Sequence, residues 1–171
     1  PTQGSFFESE WGDLCINTWL EPDLACMPKD IKMPRPEHAY LLENLIMNLA
    51  GGDPKAYEYI LDVLAWTYQN KKNQIVVLMF CGVQGSGKGV LDLALTEIFT
   101  PNHIAKGTKK HNIFNNSDNA LLKDALIYNA EDMLIGGELY EDLRGYTGAD
   151  TFQLKSLRHN VVRYANRALF M

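Results

Sequence analysis

Apolar residues recur along this chain at two intervals, and the change between them divides it. From Pro36, Tyr40, Leu41, Leu42, Leu45, Ile46 and Leu49 fall three or four apart, which predicts an amphipathic helix with Pro36 in its first turn and Gly51-Gly52 as its stop. Asp53-Pro54 supplies an N-cap and first-turn proline for a second helix, and Tyr57, Ile60, Leu61, Leu64, Ala65 and Tyr68 keep the spacing up to the polar stretch Gln69 to Gln74. The two make a helical hairpin. The run Ile75-Val76-Val77-Leu78-Met79-Phe80-Cys81 is continuous and rich in β-branched residues, the pattern of a parallel strand buried on both faces. Gly82 to Gly89 follows it, and then a helical pattern of Val90, Leu91, Leu93, Ala94, Leu95, Ile98 and Phe99. A second buried strand, Ala125 to Ala130, ends on Glu131-Asp132. A helix from about Gly137 to Tyr146 comes next, then two strand-like segments, Thr151 to Leu154 and Val161 to Ala165, around a polar tip. Residues 1–36 carry five of the seven prolines with scattered aromatics and no period, so residues 1–35 read as an irregular lead-in and 36–171 as one domain.

Composition narrows the class. At 171 residues, 46% apolar and 22% charged, the chain suits a single α/β domain that needs no disulfide or metal staple. The longest apolar run, Ile75 to Cys81, falls far short of the roughly 20 residues of a membrane span. No membrane partner is expected. Cys15, Cys26 and Cys81 are odd in number, form no CxxC pair and have no histidine at zinc spacing, which predicts buried reduced thiols and a cytoplasmic setting. Lys and Arg number 16 against 21 Asp and Glu, a net charge of -5, which argues against a broad basic face for duplex DNA but not against a small positive patch in a groove or pore. The chain starts without an initiator Met or signal pattern and stops on Ala168-Leu169-Phe170-Met171, so both ends read as excised from a longer protein, with the domain truncated at its C-terminal side.

Gly82 and Gly87-Lys88 satisfy the G-x-x-x-x-G-K frame of a phosphate-binding loop, in which glycines let successive backbone N–H groups point at phosphates and the lysine reaches the β and γ phosphates. Its position between a strand and a helix adds the helix N-terminal dipole. Gly89 stands where a Ser or Thr hydroxyl would ligate magnesium, so the metal must rely on water, on Ser86 or on acidic groups elsewhere. Glu131 and Asp132 end the second strand, where a magnesium ligand and a general base for water would stand, and the sequence does not apportion the two roles. The alternative is a helix N-cap. Asn166 follows the last strand-like segment, placed to orient an attacking water or simply to form a turn. Lys155, Arg158 and His159 sit on the polar tip, either gripping nucleic acid or as a solvated hairpin end.

The order of helix pair, strand, G-x-x-G-x-G-K-G, strand with acidic pair, cationic hairpin and Asn resembles the superfamily 3 helicase domain of phage and plasmid primase-helicases, an AAA+-like ATPase. The resemblance runs from about Pro36 to Met171 and takes in Ile113-Phe114-Asn115, while Asn17-Thr18-Trp19 is similar to the segment before that domain. It implies a P-loop NTPase (AAA+-like) parallel sheet flanked by helices, behind the N-terminal helical hairpin. It implies ATP held by Gly82, Val83, Gln84, Gly85, Ser86, Gly87, Lys88 and Gly89, with Mg2+ and the attacking water at Glu131 and Asp132. Lys155, Arg158 and His159 would contact single-stranded DNA in the pore of a homo-oligomeric ring, a hexamer by resemblance, and Asn166 would act as sensor. The family's arginine finger would come after Met171, and neither Arg163 nor Arg167 sits in its place. The function expected is the ATP-dependent DNA helicase core of a phage or mobile-element replication protein, with a fused or associated primase. Two rivals stay open: a P-loop small-molecule kinase, for which the lysines of Lys106 to His111 make a poor lid, and a degenerate nucleotide-binding structural module, which Gly89 favours.

Overall fold

In the computed structural model, the described residues are 6–8, 14–16, 39–108, 119–131, 137–154 and 162–171. They form a mixed α/β fold of small parallel and antiparallel sheets flanked by helices. The lead-in departs from the irregular expectation: β1 (Phe6–Glu8) and β2 (Leu14–Ile16) pair antiparallel. The helical hairpin is present as α1 (Tyr40–Leu49) and α2 (Pro54–Asn70). Asp53 caps α2 by accepting from the Lys55 N–H at 2.9 Å, and Pro54 occupies its first turn, as the Asp-Pro pair predicts.

The central sheet is parallel. It contains β3 (Ile104–Gly107), β4 (Ile127–Ala130) and β7 (Leu169–Phe170) in the order β3-β4-β7. The segment 75–81 lies beyond β7, joined to it by a parallel bridge from Val77 to Phe170 and by Leu78 N donating to Phe170 O at 3.0 Å. Here the expectation of a strand buried on both faces is corrected. The segment is the sheet's margin among the described residues, and Ile75 and Met79 are 86% and 62% exposed.

Period-two alternation sorts the strand residues onto two faces. Leu78, Ile127 and Leu169 face one side and pack with Leu91, Leu95 and Phe99 of α3 (Lys88–Phe99) and with Ile46, Ile60 and Leu64 of the helical hairpin. Ala105, Tyr128 and Phe170 face the other side, under Leu143 and Tyr146 of α4 (Gly137–Thr147) and Phe152 of β5 (Thr151–Leu154). β5 pairs antiparallel with β6 (Val162–Ala165), the hairpin expected from the sequence. The strand β3 and the strand β7 were not legible as such: each has only a few residues, and only sheet partners make them strands.

The chain therefore leaves the sheet in opposite directions after the bridged segment 75–81 and after β4. After 75–81 it enters α3 on one face; after β4 it reaches α4 on the other. A crevice opens at the carboxyl ends where such connections diverge.

Candidate functional site

That crevice is a cleft of about 1120 Å³, lined by the glycine loop, the start of α3 and the end of β4. The loop turns through Gly85 and Gly87, both at positive φ, 85° and 96°, before α3 begins at Lys88. Lys88 folds back over the loop: its Nζ donates to Gly82 O at 2.9 Å, Ser86 Oγ at 3.1 Å and Val83 O at 3.2 Å. The ammonium is thus held among the oxygens of the loop it belongs to, at the end of a helix whose first N–H groups have no intrahelical acceptor. Val83 and Gln84 form the exposed outer rim of the turn, and Gly89 lies in the first turn of α3 with its Cα open to solvent.

Glu131 stands at the opposite wall, exposed, one residue past β4, with its N–H donating to Gly107 O at 2.9 Å. The sheet thus brings Lys88 and Glu131 to one cleft from positions far apart in sequence. Asp132, Lys155, Arg158 and His159 lie outside the described residues, as does the segment Ile113-Phe114-Asn115. Among the described residues no group of three or more His, Cys, Asp or Glu is close enough to hold a metal ion.

Asn166 is not at the cleft, and the sensor expectation is corrected. Because β7 follows it and runs parallel to β4, Met171 lines the cleft while Asn166 lies at the amino end of the strand, on the far edge of the sheet. Its buried side-chain amide donates to Tyr146 O at 2.7 Å and Ala149 O at 3.0 Å, and its Oδ1 accepts from Ala168 N at 3.3 Å. Asn73 donates to the same Ala149 carbonyl at 3.0 Å and to Thr147 O at 3.1 Å. The two asparagines pin the exit of α4 to the sheet, a structural task. Arg163, on β6, and Arg167 do not line the cleft either. Cys81, expected as a buried thiol, is free but exposed beside the loop.

Two residues lining the cleft, Asp92 and Asn129, and their neighbour Lys106 were not marked by the sequence as a network. Asp92, one helical turn beyond Lys88, is 6% exposed and accepts from Lys106 Nζ of β3 through Oδ2 and from Asn129 Nδ2 of β4, at 2.9 Å, through Oδ1. Lys106 and Asn129 are register partners across the two strands, on the face that α3 covers. The signal was a lone carboxylate within the apolar run Val90-Leu91-Asp92-Leu93-Ala94-Leu95, but its partners required β3 to be recognised as a strand. Lys106, placed in β3, belongs to the sheet and to no lid.

No protein-family model matches the chain. A DNA primase-polymerase of Nitratiruptor phage NrS-1 is 38% identical over 66 residues, which are 39% of this chain and 9% of that protein. Two apo structures of the NrS-1 C-terminal region superpose with a TM-score of 0.77 at 26% identity, covering 96% of this chain and 38% and 39% of those chains. The chain spans well under half of each of these proteins. Sequence and fold together link it to a phage replication protein. No helix among the described residues is long and apolar enough to cross a membrane.

Proposed function

We propose that this chain is the nucleotide-hydrolysing core of a phage or mobile-element replication protein, a P-loop NTPase of AAA+-like, superfamily 3 helicase type that moves along single-stranded DNA. One observation carries the reading: Lys88 is folded over a glycine loop at the carboxyl end of a parallel sheet, in a cleft that also holds Glu131. The three oxygens now accepting from Lys88 are those that the β and γ phosphate oxygens of ATP would replace, and α3 adds the positive end of its dipole. The cleft is large enough for a nucleotide. Similarity to a primase-polymerase and to its C-terminal region supports a nucleic-acid partner and a primase fused or associated with the chain.

Magnesium would be held in this cleft by carboxylate and water, since the loop's own hydroxyl, Ser86 Oγ, already accepts from Lys88 Nζ. Of the carboxylates lining it among the described residues, Asp92 is tied to Lys106 and Asn129, which leaves Glu131 as the ligand or general base, with Asp132 as its partner. When bound, the ion neutralises charge on the phosphates. Lys155, Arg158 and His159 would grip the DNA backbone within a ring, in which a neighbouring subunit would supply an arginine, none of which lines the cleft among the described residues.

The test is ATP binding and turnover by the full-length protein and its Lys88→Met variant, with and without single-stranded DNA. DNA-stimulated turnover, lost in Lys88→Met, is expected. Binding and turnover unchanged by that substitution would sink the site. Gly89, with no hydroxyl, favours a second reading, a nucleotide-binding structural module; binding without turnover under any condition would select it.

A further inference from the structure

We infer that Asp92 is a positioning residue that fixes the Glu131 end of β4 relative to the glycine-loop helix. This role rests on the nucleotide reading above. Lys88 and Asp92 are four residues apart, hence on one face of α3, and that face meets the sheet. Both carboxylate oxygens of Asp92 are engaged, one by β3 through Lys106 and one by β4 through Asn129. Asn129 is two residues from Glu131 along β4, and Lys106 precedes Gly107, whose carbonyl accepts from the Glu131 N–H. Two short routes of covalent and hydrogen bonds therefore run from Asp92 to the backbone of Glu131.

Packing does not call for this carboxylate. A leucine at position 92 would extend the apolar contacts of Leu91 and Leu95 with the sheet, whereas a buried charge costs free energy unless fully partnered. What the carboxylate adds is direction: it accepts along two fixed lines from two strands, so α3 neither slides nor rotates over them. Lys106 is 42% exposed at its side chain and brings the compensating charge without itself being sealed in. Reacting groups held on α3 and β4 need such a fixed separation, since a misplacement of about 1 Å costs roughly a hundredfold in rate.

The test uses the full-length protein and compares the parent with Asp92→Ala, Asn129→Leu, their double variant and Lys88→Met. ATP Kd, kcat and hydrogen exchange of the peptide containing the Glu131 amide are measured. The expected result for Asp92→Ala is a kcat lowered about tenfold or more, with Kd within about twofold, a split that loss of a purely transition-state contribution produces. Asn129→Leu repeats the split, the double variant is no slower than the worse single one, and exchange at Glu131 quickens in each. Should Asp92→Ala fail to fold, Asn129→Leu, which keeps the Asp92–Lys106 pair, carries the same comparison. A normal kcat in folded Asp92→Ala and Asn129→Leu, beside a dead Lys88→Met, overturns the positioning role alone. Parent-like binding and turnover in Lys88→Met overturns the nucleotide reading and this inference with it.

Discussion

Leu45 of α1 fills the space into which any side chain at position 87 would grow: a Cβ built on Gly87 would stand 2.5 Å from Leu45 Cδ1. The helical hairpin is therefore more than a preface to the sheet. It is a wall of the glycine loop, and the loop's last residue is fitted to it in both backbone and bulk, since Gly87 also sits at φ 96°.

Gly87→Ala is expected to lose stability and nucleotide binding together. The left-handed backbone alone costs a non-glycine residue about 1–2 kcal/mol, and the overlap with Leu45 adds to it. Adding Leu45→Ala relieves the overlap but not the backbone strain, so a urea melt of the double variant should regain only part of the loss. Full recovery would show that bulk, not φ, fixes this position.

Position 89 behaves oppositely. A Cβ there meets nothing within 4 Å and the backbone is not at positive φ, so Gly89→Ser fits as built. The variant supplies the missing hydroxyl and removes a glycine from a helix, worth about 0.5 kcal/mol. Titrating magnesium against ATP turnover should show half-saturation at a several-fold lower concentration than in the parent. An unmoved midpoint would mean that the metal does not sit beside the first turn of α3.

Asn166→Ala separates a structural role from a catalytic one. Removing the amide takes away its hydrogen bonds to the Tyr146 and Ala149 carbonyls, each worth about 0.5–1.5 kcal/mol. A lower melting temperature with an unchanged ATP Kd is expected. A loss of turnover at full thermal stability would restore Asn166 to the reaction.

The hairpin tip gives a prediction in salt. If Lys155 and Arg158 each neutralise one phosphate, replacing both with Ala should flatten the slope of log affinity for single-stranded DNA against log salt by about 1.4. An unchanged slope would place the DNA elsewhere.

Where side-chain period and chain punctuation act locally, the fold was readable in advance. Asp53-Pro54 marked the start of α2, and the β5–β6 pair followed from Thr151 to Leu154 and Val161 to Ala165. The glycine turn before α3 and the strand that ends just before Glu131 were readable because each is written in consecutive residues. What could not be read was set by pairing across distance. Asn166 looks like the end of a strand because Ala165 is one, and only the insertion of β7 beside β4 shows that the residue lies at the wrong edge of the sheet. The Asp92 network failed to appear for the same reason: Lys106 and Asn129 become neighbours only through the register of β3 on β4.

The place of β7 also bears on how the molecule comes together. Leu169 and Phe170 are wedged between β4 and the segment bearing Val77, so the two walls of the cleft have no direct backbone bond among the described residues and meet through a strand made about eighty residues after the loop. The helices α1, α2 and α3 can gather early, from contacts close in sequence. The cleft instead depends on Phe170: until that residue is in place, the glycine loop and the end of β4 have no sheet strand to join them.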